Sequence, residues 1–100
     1  MAKLLMRDRD LAVLRGTFSR FRCVHEVRVF GSRATGHARR ASDIDLAIAA
    51  PDATAAQWRA LTEALEEVPI IYEFDIVRTD VTDNSKLLAK IASEGIPIFP

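Results

Sequence analysis

Cysteine is nearly missing from this chain: Cys23 is the single thiol among 100 residues. One thiol closes no intramolecular disulfide, and without a cysteine cluster there is no thiolate zinc site. Long apolar runs are missing too. No stretch approaches the ~18 residues that a membrane span needs. At the N-terminus only Leu4–Met6 is apolar, which is too little for a signal peptide. Net charge is absent as well, since 14 Lys and Arg balance 14 Asp and Glu. The apolar fraction of 49% is nevertheless that of a folded protein, not a disordered one. The expectation is one domain over residues 1–100, in a reducing, cytoplasmic compartment.

The zero net charge hides an asymmetry. Residues 1–40 carry ten basic and three acidic groups, net +7, and residues 41–100 carry four basic and eleven acidic groups, net −7. Such a split fits a basic face for a polyanion. Solvated helix faces account for it equally well at this level.

Periodicity sets out the elements. Asp8 or Asp10 can cap a helix to about Phe21, with Leu11, Leu14, Phe18 and Phe21 on one face. Val24–Phe30 reads as a strand that puts Val27 and Val29 on one side and Arg28 and Phe30 on the other. Gly31–Ser42 reads as a loop or a short irregular helix. Ile44–Ala49 is a second strand. Thr54 can cap a helix to about Val68, carrying Trp58, Leu61 and Leu65. Ile70–Val77 is a third strand. Asp83 or Asn84 opens a helix to about Glu94, and Ile96–Phe99 is a terminal strand or docking tail. The order predicts an α/β (α+β) fold with a sheet of about four strands flanked by helices.

The chemistry concentrates in Gly31-Ser32 and, ten residues on, Asp43-Ile44-Asp45. Alternate residues of a strand share a face, so Asp43 and Asp45 project together while Ile44, Leu46 and Ile48 enter the core. Asp is a poor strand former, so two of them in an aliphatic strand point to a purpose. Paired carboxylates with no His or Cys nearby suit Mg²⁺ or Mn²⁺. Asp75 in the next strand can complete a triad able to hold two metal ions and clamp an in-line displacement at phosphorus. Glu73 shares the face of Asp75 and is read as exposed. The Gly31-Ser32 turn offers backbone N–H groups to an anion, and Arg33 adds a guanidinium that matches phosphate.

Val29-Phe30-Gly31-Ser32-Arg33-Ala34-Thr35-Gly36, followed by Ser42-Asp43-Ile44-Asp45-Leu46, resembles the signature of the polymerase-β-type nucleotidyltransferase superfamily. In particular it resembles the minimal nucleotidyltransferases (MNT) of prokaryotes. Phe74-Asp75-Ile76-Val77 matches the place of that family's third carboxylate. The resemblance spans about Val24 to Phe99. It implies a mixed sheet flanked by helices, with Asp43, Asp45 and Asp75 as catalytic metal ligands and Gly31 and Ser32 as triphosphate binders. It also implies two Mg²⁺ ions and ATP as substrate, with AMP passing to a hydroxyl and pyrophosphate leaving. The partner it implies is a HEPN-type ribonuclease toxin, adenylylated on a tyrosine by an antitoxin. Rival readings are an antitoxin acting by contact alone, through the Arg-rich first helix or the Ile96–Phe99 tail, and transfer to a small molecule or RNA. A general nucleic-acid face is disfavoured, because the positive excess ends just before the carboxylate pair.

The remaining candidates read as structural. His25 lies where a strand begins, so Arg20-x4-His25 is not taken as a ribonuclease motif. His37 reads as an exposed loop residue. Arg39 and Arg40 read equally as solvated or as attracted to phosphate. Trp58 and Tyr72 read as packing residues.

Overall fold

The structure is a computed structural model that describes residues 4–39 and 41–100. The basic groups Lys3 and Arg40 lie outside the described residues. Eight elements follow in order. They are α1 (Asp8–Ser19), β1 (Glu26–Phe30), α2 (Ser32–Thr35), β2 (Ile44–Ala49), α3 (Ala55–Glu67), β3 (Phe74–Arg78), α4 (Ser85–Glu94) and β4 (Ile96–Phe99). The four strands form one sheet in the order β3-β2-β1-β4. β1 runs antiparallel to both β2 and β4, and β2 runs parallel to β3. This is the mixed, helix-flanked α+β sheet expected from the sequence.

Strand alternation divides the apolar residues between two faces. On one, Val27, Val29, Ile44, Leu46 and Ile48 are fully buried together with Leu14 and Phe18 of α1 and Leu61 of α3. On the other, Phe30 and Ala47 pack with Ile91, Leu87 and Val77. That second face is covered by α4, which supplies Leu87 and Ile91.

The helix ends show which side chains cap. At α3, Thr54 and Gln57 form a reciprocal capping box, their bonds 3.1 and 2.8 Å long. At α4, Asn84 and not Asp83 accepts the Leu87 N–H. The expectation for α1 is corrected. Its N-cap is Arg7, without a side-chain cap bond, and neither Asp8 nor Asp10 caps the helix. Asp10 is fully buried, and its carboxylate accepts two hydrogen bonds from the Arg7 guanidinium at 2.9 and 3.1 Å. A carboxylate removed from water needs such a partner.

Two strand expectations also change. β3 starts at Phe74, not Ile70, because its one neighbour β2 starts at Ile44. Before it, the Glu73 carbonyl accepts the Ile44 N–H at 2.9 Å, while the Ile70 N–H turns back to the Val68 carbonyl at 2.8 Å. Ile96–Phe99 is not a docking tail: it pairs with β1 and buries Ile98.

The far end of β3 is fastened by a polar cluster. Arg78 donates to Asp80 at 3.0 Å and to the Ala50 carbonyl at 3.0 Å, and stacks 4.8 Å from the Trp58 ring centroid. Asp80 in turn accepts the Ala50 N–H at 2.9 Å. Burial alone would push the Asp80 carboxyl up. The N–H groups of Ala50 and of Asp80 itself, with Arg78, outweigh burial and hold it below the usual carboxylate range. A depressed folded value contributes stability above the unfolded value, and that stability is lost as pH falls through the folded one. Asp80→Ala is expected to cost about 1–2 kcal/mol of unfolding free energy at neutral pH. The deficit should shrink as pH drops below about 4. Urea unfolding at neutral and acid pH checks this, and a deficit independent of pH contradicts it.

Candidate active site

The site is built at the ends of β1, β2 and β3. In β2, burial of Ile44 and Leu46 leaves Asp45 on the face covered by α4. In the parallel ladder, Asp45 stands opposite Asp75. Neighbouring strands are about 4.8 Å apart, so the two carboxylates leave the sheet side by side. Asp43 precedes β2 and is exposed, Asp45 is half-buried, and Asp75 is exposed. The Asp45 carboxyl is pushed up, first by burial, then by the charge of Asp75, then by that of Asp43. Lys90 and Arg33 pull it the other way. Both carboxylates that the sequence set beside Asp45 therefore act on it electrostatically.

Gly31 closes one side. Its φ is +72° and its ψ −150°, a region that is essentially glycine-only. A Cβ at this position would lie 2.2 Å from Asp45 Oδ2. The turn thus brings its backbone directly against the carboxylate, and only hydrogen at Cα permits it. The Gly31 N–H donates to Glu94 Oε1 at 3.2 Å. Ser32 follows as the first residue of α2, a single turn that ends at Gly36, φ +81°.

Arg33 does not hold the position expected of a phosphate ligand. The residue is 6% exposed, and its guanidinium faces inward. Nε and Nη2 donate to the Ser42 carbonyl at 3.2 and 2.5 Å, Nε also to the Asp43 carbonyl at 3.3 Å, and Nη1 to the Leu5 carbonyl at 2.9 Å. Its carbon centre stacks 4.2 Å from the Tyr72 ring centroid. A planar fork with backbone carbonyls on each nitrogen is an anchor. It fixes where the chain enters β2, and hence where Asp43 stands. The charge beside Gly-Ser made phosphate the natural reading. The burial of Ala34, its neighbour on α2, marks this side of the turn as inward.

The donor set fits a hard divalent cation, since Asp45 and Asp75 offer adjacent carboxylate oxygens whose repulsion such an ion would relieve. The expected closure of three carboxylates into one cage is not formed. Among the described residues, no group of three His, Cys, Asp or Glu side chains is gathered closely enough to hold an ion. Asp43 and Asp75 are both exposed, where water screens their charge.

The other candidates fall into place around this centre. Glu73 is exposed, as read from sequence. His37 is exposed and meets Thr35 Oγ1 at 3.1 Å. Trp58 packs against the core, and Tyr72 carries the Arg33 guanidinium. A cavity of about 440 Å³ adjoins Asp43, walled by Ile71, Tyr72 and Glu73. Sequence reasoning missed Lys90 and Glu94, which bring α4 to the site. Their spacing of four residues on a helix places them on one face, which was the available signal.

A glycine turn and paired strand carboxylates on a mixed sheet are the arrangement that the resemblance to nucleotidyltransferases implies. A family model described as polymerase beta, nucleotidyltransferase, matches residues 12–100, so the chain belongs to that family. Among solved structures, one chain of a toxin–antitoxin crystal structure with AMP-PNP is similar at 20% identity and a TM-score of 0.66. The match covers 89% of this chain and 72% of that one. A crystal structure of a mutant of the toxin–antitoxin MntA-HpeT is similar at 21% identity and a TM-score of 0.58, covering 91% of this chain and 70% of that one. No curated protein sequence gives a significant match.

Gly31→Ala is expected to cost about 1–3 kcal/mol through the backbone conformation alone. It should also drive the Asp45 carboxyl away from Asp75. Denaturant unfolding with a parallel Mn²⁺ titration checks this, and a variant with the stability and Mn²⁺ response of the parent contradicts it.

Proposed function

We propose that this chain is a Mg²⁺-dependent nucleotidyltransferase that passes AMP from ATP to a hydroxyl of a partner protein. In this reading the chain is an MNT-type antitoxin, and the acceptor is a tyrosine of a HEPN-type toxin. The observation that carries the reading is the register pair Asp45–Asp75, set against the Gly31 turn. Membership of the nucleotidyltransferase family supports the chemistry. The similar structures support the partner and the nucleotide, being toxin–antitoxin assemblies, one of them with AMP-PNP.

The reaction joins the acceptor oxygen to the α-phosphorus and breaks the bond to pyrophosphate, which leaves with its electron pair. Divalent ions, when bound, supply charge neutralisation on the phosphates and lower the pKa of the acceptor hydroxyl. Asp43, Asp45 and Asp75 would hold the divalent ions, with Asp45 and Asp75 side by side in register. Asp75 stands on the acceptor side, where it would take the hydroxyl proton or hold the nucleophile-side ion. Gly31 and Ser32 hold the triphosphate through the turn. Arg33 acts one step removed, by fixing the entry to β2. The open cavity beside Asp43 has room for an acceptor side chain. No helix among the described residues is long and apolar enough to cross a membrane. A nucleotide substrate and a single free thiol suit the cytoplasm.

The test is intact mass of the HEPN-type partner after incubation with the chain, ATP and Mg²⁺. Addition of AMP is expected with the parent and is expected to vanish with Asp43→Asn combined with Asp45→Asn. Full neutralisation of the partner by that double variant overturns the catalytic reading and leaves an antitoxin that acts by contact.

A further inference from the structure

α4 reaches the site through two residues that the proposed chemistry leaves unassigned. Glu94 Oε1 accepts the Gly31 N–H at 3.2 Å and lies 3.8 Å from Lys90 Nζ. The Glu94 side chain is 25% exposed and that of Lys90 is 56% exposed. Gly31 is itself pressed against Asp45, since an added Cβ would fall 2.2 Å from its Oδ2. Lys90, Glu94, Gly31 and Asp45 therefore form a continuous string from the helix to the carboxylate pair.

A backbone N–H and an ammonium converging on one carboxylate oxygen are the donors that a phosphate oxygen uses. Glu94 thus stands where anionic oxygen is favoured. Arg33 cannot supply the cation, because its nitrogens are engaged by carbonyls and its plane lies on Tyr72. Lys90 has one carboxylate neighbour at the outer limit of an ion pair, and a flexible four-carbon stem lets its ammonium move.

We propose that Lys90 is the phosphate-binding cation of the nucleotide site, meeting the polyphosphate of a nucleoside triphosphate, and that Glu94 is the resident carboxylate that holds it beside the Gly31 turn. This deepens the nucleotidyltransferase reading and rests on it. When a polyphosphate arrives, the Lys90 ammonium exchanges the Glu94 carboxylate for a phosphate oxygen. Glu94 then yields the Gly31 N–H as well, so that the turn faces the polyphosphate.

The test is equilibrium binding of ATP, AMP and inorganic tripolyphosphate to the full chain in Mg²⁺, with no catalysis required. Lys90→Met is expected to weaken ATP and tripolyphosphate by about tenfold or more, the scale of one charged hydrogen bond. It should leave AMP binding and thermal unfolding close to those of the parent, because Lys90 is largely exposed. Lys90→Arg should recover most of the loss. Glu94→Gln should bind tripolyphosphate as tightly as the parent or more tightly, since a competing negative charge is gone. If the parent binds ATP and tripolyphosphate and Lys90→Met does so equally well, the assignment of Lys90 falls and the nucleotidyltransferase reading stands. Equal losses for ATP and AMP also overturn a polyphosphate contact. If the parent binds neither ATP nor tripolyphosphate, both readings fall together.

Discussion

Two carboxylates stand side by side where β2 and β3 run parallel, and their mutual repulsion is the constraint around which the site is arranged. The sheet cannot relieve it by slipping. A shift of one residue in β2 would send Ile44, Leu46 and Ile48 to the other face and bring Asp45 into the core. Aliphatic burial on one face thus enforces charge crowding on the other. Burial and the charges of Asp75 and Asp43 together make the Asp45 carboxyl a reluctant anion. A site in this condition favours any cation that can lie between the oxygens.

Three anchors hold the crowded groups in place. Arg33 binds the carbonyls of Ser42 and Asp43, so the chain enters β2 at a fixed point. Gly31 sets the turn after β1 against Asp45. Glu94 joins that turn to α4, which also covers the neighbouring apolar patch through Ile91 and Leu87. Buried arginine, glycine turn and helical carboxylate act on backbone and so keep their hold whether or not the carboxylates carry an ion.

Much of this was legible because alternation is a strong signal. β2 has the expected bounds, Ile44–Ala49, since its aliphatic period leaves one choice of face. Thr54 and Asn84 announced their helices for a similarly local reason, as hydroxyl and amide acceptors placed three residues before an N–H that needs them. The misreadings share a different cause. Asp10 and Arg33 looked like surface groups doing surface work, yet both are buried, and each finds its partners through the tertiary fold or along a helix turn. Residue type gives the charge, whereas burial decides whether that charge faces a ligand or the protein. Lys90 and Glu94 were overlooked because nothing local connects α4 with a turn some sixty positions earlier; only the sheet brings them together.

The central claim is that Asp45 and Asp75 repel each other in the metal-free protein and that a divalent ion turns this repulsion into shared attraction. A double-mutant cycle on unfolding free energy, with Asp45→Asn, Asp75→Asn and the pair, tests it directly when run once with chelator and once with Mn²⁺. With chelator, each neutralisation should stabilise the chain, and the pair should gain less than the two singles together, by about 0.5 kcal/mol or more. With Mn²⁺, the parent should be the most stable of the four. Additive singles that ignore Mn²⁺ would contradict the account.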